Sequence, residues 1–355
     1  MAGHALDYIS SRIFFKSTQK KGCWLLIFSF LVCSTWYGIC YRANILLGQP
    51  DRLLIIPRAC TLDQLTTQLK KAGYIKNATT FLWTAYILRY KPQYAPGQYQ
   101  LISNMNNWQL VKMLRGAMQY PVKITFSTAT NKEDLVAQLV KRIGIPQEEL
   151  LHLLNDAKQL LNYGFSAENI LTMFIPDSYE VYWTITAEQL LYKIYSNYKR
   201  FWNATRLEKA AKMQLSPISV SILASIVQSE TNDQQEAAII AGVYVNRLKR
   251  KMPLQSCPVL IYALKEKGIV AKRVLKNDTY IYINQYRKKE LPSGPIALPS
   301  VHMIDAVLNY IQHDYLFFSA KEDFSGLHYF TNNYKTHVNN ANKYRRVLNA
   351  LKIMR

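Results

Sequence analysis

From Gly22 to Tyr41 the chain runs for 20 residues without a charge, through Trp24, Leu25, Leu26, Ile27, Phe28, Phe30, Leu31 and Val32. As a helix rising about 1.5 Å per residue this run is roughly 30 Å long, the thickness of a bilayer's hydrocarbon core. Arg12, Lys16, Lys20 and Lys21 precede it against the single acid Asp7, and only Arg42 follows closely. The positive-inside rule then puts residues 1–21 in the cytoplasm and everything after residue 41 on the other side of the membrane. The alternative is a cleaved signal peptide. The run is long for the apolar stretch of a leader, and no A-x-A-like cleavage site follows, which favours an uncleaved single-pass anchor at residues 22–41.

The sequence has 355 residues, 49% of them aliphatic or aromatic, enough for two or three compact domains beyond such an anchor. Three of the five cysteines, Cys23, Cys33 and Cys40, sit in the apolar run. Cys60 and Cys257 are far apart and show no C-x-x-C spacing. Neither a disulfide framework nor a metal site is indicated, and no cofactor motif is present. A Cys60–Cys257 bridge stays open in an oxidising compartment. The formal charge of +21 favours an anionic partner. With the charge placed outside the cytoplasm and no nucleic-acid motif in the chain, an anionic membrane surface or cell-wall polymer fits better than nucleic acid.

A short strand–helix pattern occurs twice, about 70 residues apart: Leu53–Ile56 with Thr61–Leu69, and Val122–Phe126 with Asn131–Leu139. Leu65, Gln68, Leu69 and Lys71 recur as Leu135, Gln138, Leu139 and Lys141. Between the copies, Pro96-Gly97 turns into a strand at 97–101, and Asn107–Arg115 reads as a helix closed by Gly116. Residues 140–215 read as mostly helical, interrupted by the aromatic Pro-Asp segment Phe174–Trp183. The fold class is therefore α+β: an N-terminal transmembrane helix, a small strand–helix module over 42–120, and a helix-rich domain with short strands over 121–355.

One carboxylate stands out. Ser216-Pro217 opens a helix with an N-cap serine and a first-turn proline. Ile222, Leu223, Ile226 and Val227 mark its apolar stripe, and Glu230 continues that stripe. A carboxylate set against apolar surface favours its protonated form, as a general acid requires. The competing reading is a helix-end glutamate turned into solvent. A second helix, from about Asp233 to Lys251, carries Ala237, Ile240, Ala241, Tyr244, Val245 and Leu248 on one face, which puts Glu230 at a joint between helices. Asp233 and Glu236 are the nearest other carboxylates; the first turn of that second helix is expected to keep them solvated.

At this joint the chain resembles the YceG-like, MltG-type endolytic murein transglycosylases. Leu223–Thr231 is similar to their LASIVEKET signature, and Val243–Leu248 to VFxNRL. Met252–Tyr262 resembles MxLQTDPTVxY, and Tyr280–Asn284 with Leu291–Ala297 resembles YNTY…GLPPGPIA. Phe174–Tyr179 resembles FxFPDTY, and Tyr315–Phe318 with His328–Asn332 resembles YLYFV…GxHxFxxT. Asn246, Gln255, Ser256 and Tyr262 are candidates for binding the sugar amides, with capping and loop hydrogen bonds as their alternative role. The resemblance implies cleavage of the β-1,4 bond between N-acetylmuramic acid and N-acetylglucosamine, with Glu230 as catalytic acid. It also implies a LysM-like module at 42–120, peptidoglycan strands as substrate, peptidoglycan synthases as candidate partners, and no cofactor. The pattern's last proline-glycine is Pro299-Ser300 here, and two of its carboxylates are lost: Gln228 replaces the signature's first glutamate, and Cys257 replaces the aspartate after LQT. They leave a second reading open, a non-catalytic wall-binding or divisome scaffold.

Overall fold

A computed structural model describes residues 24–45, 52–266 and 289–352. The segments 1–21 and Tyr280–Asn284, together with Gly22 and Cys23, lie outside the described residues. The fold is helix-rich α+β, with three separate two-stranded sheets among the described residues. The chain divides into two compact units, Met1–Val122 with Tyr182–Thr184, and Lys123–Val181 with Ile185–Arg355.

In the first unit, helix α1 (Trp24–Cys40) is apolar and exposed along most of its length. Among the described residues no single helix is long and apolar enough to cross a membrane by itself. Strand β1 (Arg52–Ile56) is followed by α2 (Leu62–Lys71), α3 (Ala78–Ile87), β2 (Gly97–Leu101) and α4 (Asn107–Arg115). β1 and β2 pair antiparallel, with Leu54 opposite Tyr99 and Ile56 opposite Gly97. Alternation turns Leu54 and Ile56 inward, where they meet Leu65, Leu69, Phe81, Tyr99 and Leu110. α2 begins in a reciprocal capping box between Thr61 and Gln64.

The second unit opens with β3 (Val122–Phe126) at its boundary and α5 (Lys132–Val140). The sequence repeat is a repeated packing solution. Leu65 and Leu69 of α2, and Leu135 and Leu139 of α5, are fully buried. The repeated glutamine bonds backbone in each copy, at different places: Gln68 donates to the Ile55 carbonyl within β1 at 3.2 Å, and Gln138 to that of Thr128, two residues past β3, at 2.7 Å. The copies differ in partner, since β3 pairs with β4 (Asp177–Val181).

Helices α6 (Gln147–Leu153), α7 (Ala157–Leu161), α8 (Ala187–Phe201) and α9 (Ala204–Lys212) lead to α10 (Pro217–Glu230) and α11 (Gln234–Lys249). α10 starts as its sequence dictates, with the Ser216 hydroxyl accepting from the Ser219 amide and proline in the first turn. From Val220 to Val227 every residue of α10 is buried. α12 (Cys257–Glu266), α13 (Val301–Leu308), the antiparallel pair β5 (Phe317–Ala320) and β6 (His328–Thr331), and α14 (Tyr334–Ala350) complete the unit. α10 and α11 share a core with Met303, Ile304 and Val307 of α13. Each such aliphatic side chain taken from water contributes about 1.5–3 kcal/mol before conformational entropy is subtracted. Two glycines mark close approaches. A Cβ on Gly242 would lie 2.5 Å from the Ile311 carbonyl oxygen, and one on Gly294 would lie 1.9 Å from that of Glu168.

Candidate active site

α10 ends on Glu230 itself. The turn into α11 is closed by its own side chains: the Thr231 amide donates to the Val227 carbonyl, the Asp233 amide to the Thr231 hydroxyl, and the Glu236 amide to the Asp233 carboxylate at 2.8 Å. This fixes the last turn of α10 beside α11 and leaves Glu230 half-buried between them. Two hydroxyls then converge on one carboxylate oxygen. Tyr244, 1% exposed on α11, donates to Glu230 Oε1 at 2.8 Å. Ser256, 3% exposed, donates to the same oxygen at 2.9 Å. Oε2 receives no hydrogen bond among the described residues, so it is the oxygen left for a ligand. Burial, and next the charge of Glu230, push the Tyr244 phenol well above its ordinary value, against the opposing pull of Ser256 and Arg247. The tyrosine is therefore a fixed proton donor to Oε1.

Ser256 owes its place to Arg247. This arginine is 7% exposed. Its Nε donates to the Leu316 carbonyl at 2.6 Å, and its Nη1 to the carbonyls of Pro253 and Leu254 and to Gln255 Oε1. The guanidinium also lies over the Phe317 ring, 5.2 Å from the centroid. It thus pins the 253–255 segment, in which Gln255 adopts φ +53°, directly before Ser256.

A cavity of about 240 Å³ opens at this point. Its polar lining is Glu230, Tyr244, Arg247, Gln255 and His337, and Phe317, Phe318, Tyr334, Leu254 and Cys257 complete the wall. Aromatic walls with a few placed polar groups suit the flat apolar face and polar rim of a sugar ring. Burial, then the charges of Arg247 and Arg345, holds the His337 imidazole below its ordinary value.

The structure brings Glu230, Gln255 and Ser256 together. Asn246 is turned elsewhere, with its amide donating to the carbonyls of His313 at 2.7 Å and Tyr315 at 3.0 Å. Tyr262, on α12, is not among the cavity's lining residues. Gln228 is not among the cavity's lining residues and clasps the backbone: its Nε2 donates to the Leu298 carbonyl and its Oε1 accepts from the Ser300 amide at 2.7 Å. Cys257 lines the cavity, and both it and Cys60 are thiols.

The expectation that Glu236 is solvated is overturned. It is 5% exposed, and both its oxygens are occupied by His328, Oε1 by the backbone amide at 2.7 Å and Oε2 by Nδ1 at 2.9 Å. The first turn of α11 packs under β6, so the acid that suits a helix N-terminus is also covered. Asp233 stays exposed as the N-cap of α11. Sequence reasoning placed Tyr244 on a buried face without asking what its hydroxyl bonds. A buried phenol needs a partner, and Glu230, at the joint that opens α11, was the signal.

Comparison with known proteins agrees over most of the chain. The profile of the YceG-like family matches residues 54–343. An endolytic murein transglycosylase of Streptococcus pneumoniae (serotype 2, strain D39) is 26% identical over 320 residues, covering 81% of this chain and 57% of that protein. The chain thus spans little more than half the length of its pneumococcal relative. An endolytic murein transglycosylase of Bacillus subtilis (strain 168) is 25% identical over 307 residues, covering 81% of this chain and 83% of that one. The crystal structure of a yceG-like protein from Listeria monocytogenes has the same fold, with a TM-score of 0.51 at 22% identity over 82% of this chain and 98% of that one.

Proposed function

We propose that this chain, which belongs to the YceG-like family, is an endolytic peptidoglycan lytic transglycosylase. It cleaves the MurNAc-β-1,4-GlcNAc bond, leaves 1,6-anhydro-MurNAc ends and so terminates nascent glycan strands. In this reading α1 belongs to a single-pass anchor in the cytoplasmic membrane, the strand–helix unit at 42–120 is a LysM-like module, and the catalytic unit works outside the cytoplasm.

The observation that carries the reading is the solitary carboxylate. Among the described residues Glu230 is the one acid lining the cavity, while Glu236 is taken up by His328 and Asp233 by the helix cap. Ordinary glycosidases need two carboxylates, one as acid and one as nucleophile or base. A transglycosylase needs one, because the substrate brings its own nucleophile. With Oε1 accepting from Tyr244 and Ser256, the proton of Glu230 resides on Oε2. From there it passes to the glycosidic oxygen as the C1–O4 bond breaks. The resulting carboxylate, stabilised by its two donors, takes the proton of the muramyl 6-hydroxyl as O6 closes on C1. No water enters, and Glu230 ends in the state in which it began. The ring closure is intramolecular, so proximity replaces an activated water. Gln255 and His337 are placed to contact the sugar substituents.

The scaffold alternative rests on Gln228 and Cys257. Gln228 bonds the 298–300 backbone, so the missing carboxylate there takes nothing from the cavity wall. The deciding experiment is digestion of purified murein by the full-length protein in detergent, with mass spectrometry of the products. Anhydro-muropeptides from wild type, and about 10²–10⁴-fold less of them from Glu230→Gln, are expected. No products from wild type, or equal products from the variant, would overturn the assignment of Glu230 and favour the scaffold.

A further inference from the structure

We infer that the outer face of α3, formed by Trp83, Tyr86 and Ile87, lies in the headgroup layer of an anionic membrane, so that the first unit rests on the bilayer as well as being tethered to it. The inference rests on reading α1 as a membrane anchor. Trp83, Tyr86 and Ile87 are 58%, 64% and 38% exposed. At spacings of three and four residues they form one continuous stripe beside the buried face of Phe81, Thr84 and Ala85. α3 carries no charged side chain at all. Exposed apolar stripes of this kind on a small unit mark a contact surface.

Position identifies the occupant. The exposed apolar face of α1 ends at Cys40, which is fully buried. The hydroxyl of Thr84, in the middle of α3, lies 3.9 Å from the Cys40 sulfur. Asn107 of α4 donates to the Ile39 carbonyl at 2.8 Å. α3 is therefore packed against the residues where an anchor leaves the hydrocarbon, at the level of the headgroups. At the same level Tyr37 stacks on Tyr41 and Tyr41 on Trp108, with centroids 5.8 and 5.6 Å apart. Tyrosine and tryptophan are the residues that collect at this depth.

Charge identifies the lipid. From Gln64 to Lys132 the sequence contains no aspartate or glutamate, while Lys70, Lys71, Lys76, Arg89, Lys112 and Arg115 fall within it. An apolar aromatic stripe flanked by cations and free of acids matches a surface rich in anionic lipid.

The test uses the full chain in vesicles of phosphatidylglycerol and phosphatidylethanolamine doped with brominated phosphatidylcholine, which quenches tryptophan by contact. Trp83→Phe is expected to remove part of the quenched emission, more with bromines near the carbonyls than at mid-chain. Trp36→Phe, within α1, is expected to remove another part. If Trp36→Phe lowers quenching while Trp83→Phe leaves it at the wild-type level, α3 stands in water and the inference falls, with the anchor intact. If neither variant changes quenching, α1 is not in the bilayer and both readings fall.

Discussion

α3 and α10 look alike in sequence and are used in opposite ways. Both are apolar around most of their circumference, ATTFLWTAYI in one and PISVSILASIVQSE in the other. Such helices belong in an interior. α10 obeys, buried continuously from Val220 to Val227 by α11 and α13. α3 buries one side and shows Trp83, Tyr86 and Ile87 on the other. Apolar composition therefore does not say whether a helix supports a site or presents a surface. The neighbours decide, and they make α10 a rigid mount whose last residue is Glu230.

The largest expected effect tests what that mount carries. Glu230→Gln retains an acceptor for Tyr244 and Ser256 but cannot give up a proton. Release of anhydro products should fall by about 10²–10⁴-fold, with the urea midpoint unchanged. A variant that loses activity by unfolding would instead shift the midpoint. The mount itself is broken by Leu223→Ala. Leu223 is fully buried in the α10 core, and a truncation of this kind costs about 2–5 kcal/mol, readable by chemical denaturation.

Tyr244→Phe comes next. It keeps the ring in the core and removes one of the two donors on Oε1. A hydrogen bond to a charged group is worth about 1.5–3 kcal/mol, so the rate should drop roughly ten- to a hundred-fold. Ser256→Ala should act on the same oxygen, and the double variant should depart from additivity, since both donors share one acceptor. Additive losses would mean that the two hydroxyls act separately.

Much of this was legible beforehand, for identifiable reasons. The Ser216-Pro217 start and the repeated Leu-Gln-Leu pattern are local signals, and α10 begins, and α2 and α5 pack, as those signals dictate. Glu230 was visible because its phase along α10 is local too. Contacts between distant residues were not visible. The Glu236–His328 pair spans 92 positions, and Asn246 meets the backbone 67 and 69 positions away. Arg247 reaches from Pro253 to Leu316. No periodicity encodes such pairings, which follow from how β5, β6 and the 313–316 segment fold over α11.

Gln228→Glu probes the other side of α10 at a smaller scale. A glutamate could still accept from the Ser300 amide, but as a carboxylate it could not donate to the Leu298 carbonyl. Leu298 is fully buried, so the loss should cost about 1–3 kcal/mol of stability without raising the rate of anhydro product release. A faster enzyme would show that this position acts in the chemistry after all.

The smallest effect closes the comparison from the α3 side. If the outer face of α3 contributes nothing to the interior of its unit, Trp83→Ser with Tyr86→Ser should change the stability of the detergent-solubilised protein by no more than about 0.5 kcal/mol each, as for other surface positions. Leu223→Ala in the same assay sets the scale for an apolar residue that does support the fold. A loss of about 2 kcal/mol or more from the α3 pair would mean that these aromatics are covered within the protein. The two helices would then differ only in degree, and exposure at Trp83 and Tyr86 would no longer argue for a lipid contact. Equal stability, combined with weaker quenching by brominated lipid, would separate the two uses of an apolar helix within one chain.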